Sequence, residues 1–395
     1  MLTARSSRHQ QVAAGVRAQL DLHLERIRRA LGFETVFIAR VAGGERRVEA
    51  ISAAPSSGPA LRPGDIRPAQ DCPVVVSTAL RHGDLFAGQV HADTVARPPP
   101  FAAAQGVPVA LPGGALFGVL GGIGDRTDAA PVLKEAARVI EVILDILRHE
   151  ELMAQQVRGM IMHVIQAGLF RAVFQPVRDL DTGSVIYREG LTRLDDSLET
   201  DVPQLLAEAH AVGAGPALEL AFARAILRAG RDWPDGAGIA INLSETTLHS
   251  EAFTEFLSEE AEPGLTVELT EHEPVSDYRA LGAVVERLRA AGVSLAIDDA
   301  GSGYTSLRHI LDLKPDVLKI DAQLSARVDT DPEALALFRF LQRYCDETGT
   351  LLVTEGIERT EQLDALRAIG VRYVQGFHVG APRGSRTSGD TPDIA

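Results

Sequence analysis

Cysteine, lysine and net positive charge are all scarce in this chain of 395 residues, and each shortage removes a class of function. Cys72 and Cys345 are too few and too far apart for a disulfide framework or a thiolate metal cage, so both are expected to be free thiols in a reducing cytoplasm. The formal net charge of −15 makes the chain a poor non-specific partner for duplex nucleic acid or an anionic membrane. If its substrate is anionic, cations must help to bind it. The start, MLTARSSRHQQ, is basic but has no apolar segment behind it, so no secretory signal is expected. One charge-free stretch, Pro98 to Gly124, raises the question of a membrane span. Its prolines and the Gly113-Gly114 break between VPVAL and ALFGVLGGI predict a buried β-hairpin instead.

Hydrophobic residues make up 45% of the chain and charged residues 24%, which is ordinary for a soluble globular protein, and the length predicts two domains. In residues 1–130, Val12 to Leu31 has helical spacing, ETVFIARVAGGERRVEAISA reads as two strands around a Gly-Gly turn, and the hairpin follows. This order of helix, hairpin, variable middle, core hairpin and exit helix resembles the GAF family, which implies an α/β sensory domain for a signal that the sequence does not name. Asp71-Cys72 falls where a ligand pocket could lie, although a structural role is the simpler reading.

Residues 131–168 read as a linking helix. Val139, Ile143, Ile146, Met153, Val157, Met160 and Val164 form a 3-4 spaced seam, interrupted at Glu150, that could pair with a second copy of itself, and a homodimer is expected. Residues 169–384 then alternate strand and helix, and 385–395 are expected to be a disordered tail. The strand candidates VFQPV, SVIYREGL, GIAINLS, LTVELTE, SLAIDDA, VLKID, LLVTEGI and YVQGFHV suggest a (β/α)8 barrel, whose chemistry sits at the carboxyl ends of its strands. Only RDLDTGS joins the first two, too short for a crossover helix. They are therefore expected to be antiparallel neighbours, so the fold class is an irregular α/β barrel with one antiparallel strand.

These strands deliver Glu189, Asn242, Glu268, Asp298 with Asp299, Lys319, Glu355 and Gln375 at or near their carboxyl ends. A single strand-end Asp or Asn usually caps the next helix, but a polar residue recurring on strand after strand is a site. Strand alternation puts Glu189, Leu191 and Arg193 on one face, and Val317, Lys319 and Asp321 on one face. Lys319 is one of three lysines in an arginine-dominated chain; it is either a wanted point charge or a solvated strand-end side chain. Clustered carboxylates with an amide among them suit hard cations, Mg²⁺ or Mn²⁺, and two such ions bridged by a carboxylate would activate water and neutralise a phosphoryl transition state.

FQPV (174–177), EGL (189–191) with Arg193, NLS (242–244), ELTE (268–271), DDAGSGYTSL (298–307), LKID (318–321), EGIE (355–358) and QGF (375–377) together resemble the EAL family of cyclic-di-GMP phosphodiesterases, in order from Phe170 to Pro382. The resemblance implies hydrolysis of cyclic di-GMP to linear 5′-pGpG. It implies ligation of one ion by Glu189, Asn242, Glu268 and Asp298, and of a second by Asp298, Asp299 and Glu355. Lys319 would position or help deprotonate the attacking water, and Glu271 would fix the glycine-rich loop after Asp299. Gln175, Arg193 and Gln375 would be substrate contacts, and Glu358 a support from behind. No segment resembles the GGDEF synthase signature. The chain departs from the pattern at Gly190, where the family has its signature alanine, and at Ala300, Ser302 and Thr354. Gly190 is expected to loosen its strand and Ala300 to weaken the anchoring of the loop. The competing reading is a receptor that binds the same nucleotide without turning it over.

Overall fold

The computed structural model describes residues 3–54, 61–82, 104–111, 114–124, 128–231, 233, 235–269, 277–300 and 307–384. Two compact units divide at Gln156/Val157. The first contains helix α1 (Thr3–Leu31), strands β1 (Thr35–Ala42), β2 (Glu45–Ala53) and β3 (Ile66–Pro68), helix α2 (Pro73–Arg81), strands β4 (Ala104–Ala110) and β5 (Leu116–Ile123), and the start of helix α3 (Ala130–Ala167). Its antiparallel sheet has the order β3-β2-β1-β5-β4. The expected Gly-Gly turn joins β1 to β2, with Gly43 and Gly44 at φ 57° and 80°, and the described part of the charge-free stretch holds the antiparallel pair β4 and β5.

Strand alternation gives this sheet two apolar faces. Val36, Ile38 and Leu120 meet Leu20, Leu24 and Ile27 of α1 and Leu133, Ile140 and Leu144 of α3. Phe37, Ala39, Val41 and Val119 meet Val74 and Val75 of α2. Ile38 pairs with Ala50 but Ala39 with Val48, so Glu49 is an extra residue that shifts the parity of β2 and turns Val48 and Arg46 to the α2 face.

The second unit is a closed barrel of β6 (Phe170–Asp179), β7 (Val185–Leu194), β8 (Gly238–Leu243), β9 (Leu265–Leu269), β10 (Ser294–Ala300), β11 (Val317–Ile320), β12 (Leu351–Thr354) and β13 (Tyr373–Val374). β6 runs antiparallel to both its neighbours, β7 and β13, and every other pairing is parallel. The interleaved helices are α4 (Val202–Ala211), α5 (Gly215–Gly230), α6 (Glu245–Leu248), α7 (Glu251–Glu260), α8 (Tyr278–Ala290), α9 (Leu307–Leu313), α10 (Ala322–Ser325), α11 (Pro332–Thr348) and α12 (Thr360–Ala368). Outward-facing strand residues such as Ile241, Val267, Leu295, Leu318 and Leu352 pack on Ile226, Phe253, Val284, Phe338 and Leu366 of the helices. Burial on both faces explains why β9 and β11 are buried from end to end. Inside the barrel Val177, Tyr187, Ala240, Ala296, Val317 and Val353 form one apolar layer. Two residues further along these strands stand Glu189, Asn242, Asp298, Lys319 and Glu355, which places the polar set directly above that layer.

Helix α3 corrects the continuous seam. Ile140 and Leu144 are buried in the first unit and Ile161 and Val164 in the second, while Val139, Val142, Ile146 and Met160 stay 46%, 60%, 40% and 40% exposed. The predicted Val164 thus belongs to a core and not to the exposed stripe. The tail 385–395 lies outside the described residues.

Gly190 does not loosen its strand, as the sequence suggested. Its missing methyl is replaced by a neighbour: a Cβ there would lie 2.1 Å from Ile226 Cγ2 and 3.2 Å from the Ala240 carbonyl oxygen. Gly190→Ala is therefore expected to destabilise the protein by about 1–3 kcal/mol through overpacking, and the added change Ile226→Ala to recover much of that loss. Denaturant midpoints of the wild type, the single variant and the double variant measure both effects.

Candidate active site

Lys319 stands at the centre of the barrel's polar layer. Its side chain is 1% exposed and its Nζ lies 2.6 Å from Glu355 Oε1, 2.8 Å from Glu268 Oε2, 3.2 Å from Asp298 Oδ1 and 3.3 Å from Glu189 Oε2. The alternative of a solvated strand-end lysine is excluded. Asn242 Nδ2 donates to Glu189 Oε1 at 2.8 Å, and Gln375 Nε2 donates to Glu189 Oε2 at 2.7 Å and to Gln175 Oε1 at 3.3 Å. Gln175 in turn donates to the Gly380 carbonyl at 3.2 Å. Of the two glutamines, read from the resemblance as substrate contacts, Gln375 holds Glu189 and Gln175 holds Gln375.

On two strands, capping and chemistry are divided between residues two apart. Ser244 caps α6 by accepting from Thr247 N, and Asp321 caps α10 by accepting from Gln323 N, which leaves Asn242 and Lys319 to the interior. Ser244 also donates through its N–H and Oγ to Glu219 Oε2, at 2.8 and 3.1 Å, and His210 Nε2 lies 2.5 Å from Glu219 Oε1. This buried Glu219 anchor fixes the chain just beyond Asn242. It was missed in the sequence because Glu219 looks like one more polar residue on an amphipathic helix.

Asp298 and Asp299 are adjacent, so a regular strand would point them to opposite faces. A bulge resolves this: Ile297 pairs with Leu318 and Ala300 with Ile320, so two residues of β10 oppose Lys319 alone. Asp299 takes φ 53°, a left-handed conformation that aspartate tolerates better than most residues, and its N–H donates to Asp298 Oδ1 at 2.9 Å. Carboxylate oxygens of Glu189, Glu268 and Asp298 then lie within 4.8 Å of one another, as do those of Asp298, Asp299 and Glu355. Asp298 belongs to both groups.

The remaining predicted residues divide. Arg193 is exposed at the far end of β7, where its Nη1 donates to the Thr192 carbonyl, apart from the buried cluster. Glu358 is exposed; its backbone N–H donates to Gln362 Oε1, and its side chain makes no contact with the cluster among the described residues. Glu271 and Ser302 lie outside the described residues. Ala300 is 4% exposed and packs into the core between strands and helices, and Thr354 is fully buried on that same outward face, so neither departure touches the polar layer. Tyr187 was missed: it is 6% exposed beneath the cluster, with an OH that has no hydrogen-bond partner among the described residues. Its position two residues before Glu189 was the available signal.

The electrostatics are those of a site built for more positive charge than the protein supplies. Four carboxyl groups surround one ammonium, and Asp299 adds a fifth beside Asp298 and Glu355. Burial pushes Glu268 well above the usual carboxylate range, Lys319 opposing and Glu189 and Asp298 adding to the rise. Burial likewise pushes Glu355 up to about 8. Glu189 shifts downward: burial would raise it, but Lys319, Gln375 and Asn242 together outweigh burial. Lys319 is held well above its ordinary value, since the four carboxylates overcome the cost of burial. A lysine held so firmly protonated donates hydrogen bonds before it accepts a proton. Glu268 Oε1 is buried without a hydrogen-bond partner among the described residues, so an all-oxygen donor set with an orphaned lone pair fits a hard divalent cation.

Residues 158–382, more than half of the chain, match the EAL domain model, and the chain belongs to that family. It is 31% identical over 157 residues to the cyclic di-GMP phosphodiesterase PdeB of Shewanella oneidensis, a match covering 38% of this chain and 18% of that protein. It is 30% identical over 218 residues to the probable cyclic di-GMP phosphodiesterase PdeB of Escherichia coli, covering 52% and 41%. The chain spans less than half the length of either relative. Among solved structures, the PaMucR phosphodiesterase in complex with c-di-GMP is 26% identical with a TM-score of 0.53, covering 58% of this chain and 98% of that one.

The raised carboxyls make stability depend on pH and on cations. A buried Glu355 that titrates at about 8 instead of 4.5 keeps its proton in the folded protein while the unfolded chain loses it. The metal-free fold is therefore expected to lose stability as pH rises from about 4.5 through 8. Mg²⁺ or Mn²⁺ should raise the melting temperature more at pH 8 than at pH 6. Thermal melts in EDTA and in each cation check this; equal increments at both pH values would count against it.

Proposed function

We propose that the protein is a metal-dependent phosphodiesterase that hydrolyses cyclic di-GMP to linear 5′-pGpG. The observation that carries this reading is the pair of overlapping carboxylate groups around Lys319, with Asp298 common to both. It is supported by membership of the EAL family and by the likeness to phosphodiesterases that act on, or bind, that nucleotide. Two cations, Mg²⁺ or Mn²⁺, one held by Glu189, Asn242, Glu268 and Asp298 and one by Asp298, Asp299 and Glu355, would supply charge neutralisation for the phosphoryl oxygens and a more acidic water. Lys319, with its protons held by the carboxylates, orients the nucleophilic oxygen by donating to it. Gln375 and Asn242 fix the two oxygens of Glu189 from opposite sides, and Gln175 fixes Gln375. The exposed guanidinium of Arg193, on the strand face that also carries Glu189, suits a phosphate oxygen of the substrate. Glu271 anchors the loop after Asp299 in this scheme, and Glu358 acts from outside the cluster.

The first unit then serves as a GAF-like sensory domain for residues 131–168 and the barrel. The exposed stripe of Val139, Val142, Ile146 and Met160 supports a homodimer through α3. Among the described residues no helix is long and apolar enough to cross a membrane. Two buried free cysteines support a reducing, cytoplasmic setting.

Full-length protein incubated with cyclic di-GMP and Mg²⁺ or Mn²⁺ is expected to release 5′-pGpG, resolved by chromatography, and Glu189→Ala to abolish release. Tight calorimetric binding without turnover would instead assign a receptor. No linear product at any protein concentration would defeat the catalytic reading.

A further inference from the structure

The first unit carries a buried guanidinium with no ion-pair partner among the described residues. Arg46 of β2 is 3% exposed, and its Nε and Nη1 have no hydrogen-bond partner among the described residues. Buried guanidinium groups are stable when paired, because an unpaired charge away from water loses its hydration and gains nothing in return. The bulge at Glu49 turns this side chain to the α2 face, where Arg46 pairs across the ladder with Val41 on one side and with Arg67 of β3 on the other. Two arginines directly opposite each other on neighbouring antiparallel strands repel, which is a second cost that a shared anion would remove. Arg67 is exposed, so the pair runs from solvent inward. The rest of that face is apolar, formed by Val41, Ala69, Cys72 and Val75.

We propose that Arg46, assisted by Arg67, binds a small oxyanion ligand on the α2 face of the N-terminal sheet, the ligand carrying a carboxylate or a phosphate. Arginine's planar fork of donors matches both groups, and its weak hydration suits it to a buried site. The site gives the sensory reading of this unit a ligand class. Its readout is binding, which is independent of whether the barrel hydrolyses a cyclic dinucleotide.

The test is thermal denaturation and calorimetry of full-length protein in oxyanion-free buffer stripped of metals by passage over a chelating resin, titrated separately with inorganic phosphate and with succinate. At least one is expected to bind saturably and raise the melting temperature, and the responsive probe distinguishes the phosphate source from the carboxylate source. Arg46→Met should weaken that binding at least tenfold while melting, without anion, at or above the wild-type temperature, since it removes an uncompensated charge. Arg46→Lys keeps the charge but loses the fork and should bind more weakly than the wild type. The proposal is overturned if neither probe binds, if Arg46→Met binds as the wild type does, or if Arg46→Met melts lower or fails to fold, because Arg46 would then be a paired structural residue.

Discussion

Four carboxylates held against one buried ammonium set the conditions for everything else in the barrel. Lys319 is almost wholly enclosed, so its charge is tolerable only because Glu189, Glu268, Asp298 and Glu355 surround it, and their charges are tolerable only because it is there. The balance is incomplete by several negative charges, and burial offsets part of the excess by favouring the protonated forms of Glu268 and Glu355. The apolar layer of Val177, Tyr187, Ala240, Ala296, Val317 and Val353 closes the barrel beneath and keeps water from screening the cluster from below. The outer helices then need only hold eight strands in register.

Much of this was legible in the sequence because barrel strands obey a short-range rule. An inward-facing polar residue two positions beyond an inward-facing apolar one, repeated on strand after strand, marked Asn242, Lys319 and Glu355, and the short link RDLDTGS fixed the orientation of β6. What could not be read depended on contacts distant in sequence or on backbone angles. Ile226 fills the space beside Gly190 from a helix 36 positions later, and nothing local announces it. The glutamines 175 and 375 meet only because β6 and β13 close the barrel. The left-handed turn at Asp299 leaves no mark beyond the pair of aspartates itself.

Helix α3 shows the opposite failure, in which a pattern is real but its meaning divides. A 3-4 spacing of apolar residues was read as a single seam, whereas its members have different neighbours: Ile143 packs against one core, Val157 and Val164 join another, and Val139, Ile146 and Met160 lie at the surface. A helix with more than one apolar face produces the same spacing as a coiled coil until burial separates them. The bulge in β2 hides Arg46 in a similar way, since simple alternation from Ala50 would send it to the other side of the sheet.

The bulge in β10 makes the composition of the barrel's polar layer a matter of chain length at one point. Because Asp298 and Asp299 together face a single residue of β11, one of them is surplus to the ladder. A ladder without that extra residue would pair one residue of β10 with Lys319 and carry one carboxylate there where there are now two. The group of Asp298, Asp299 and Glu355 would lose a member while that of Glu189, Glu268 and Asp298 kept all of its own. The second group of carboxylates is thus separable from the first, and it rests on one extra residue in the ladder.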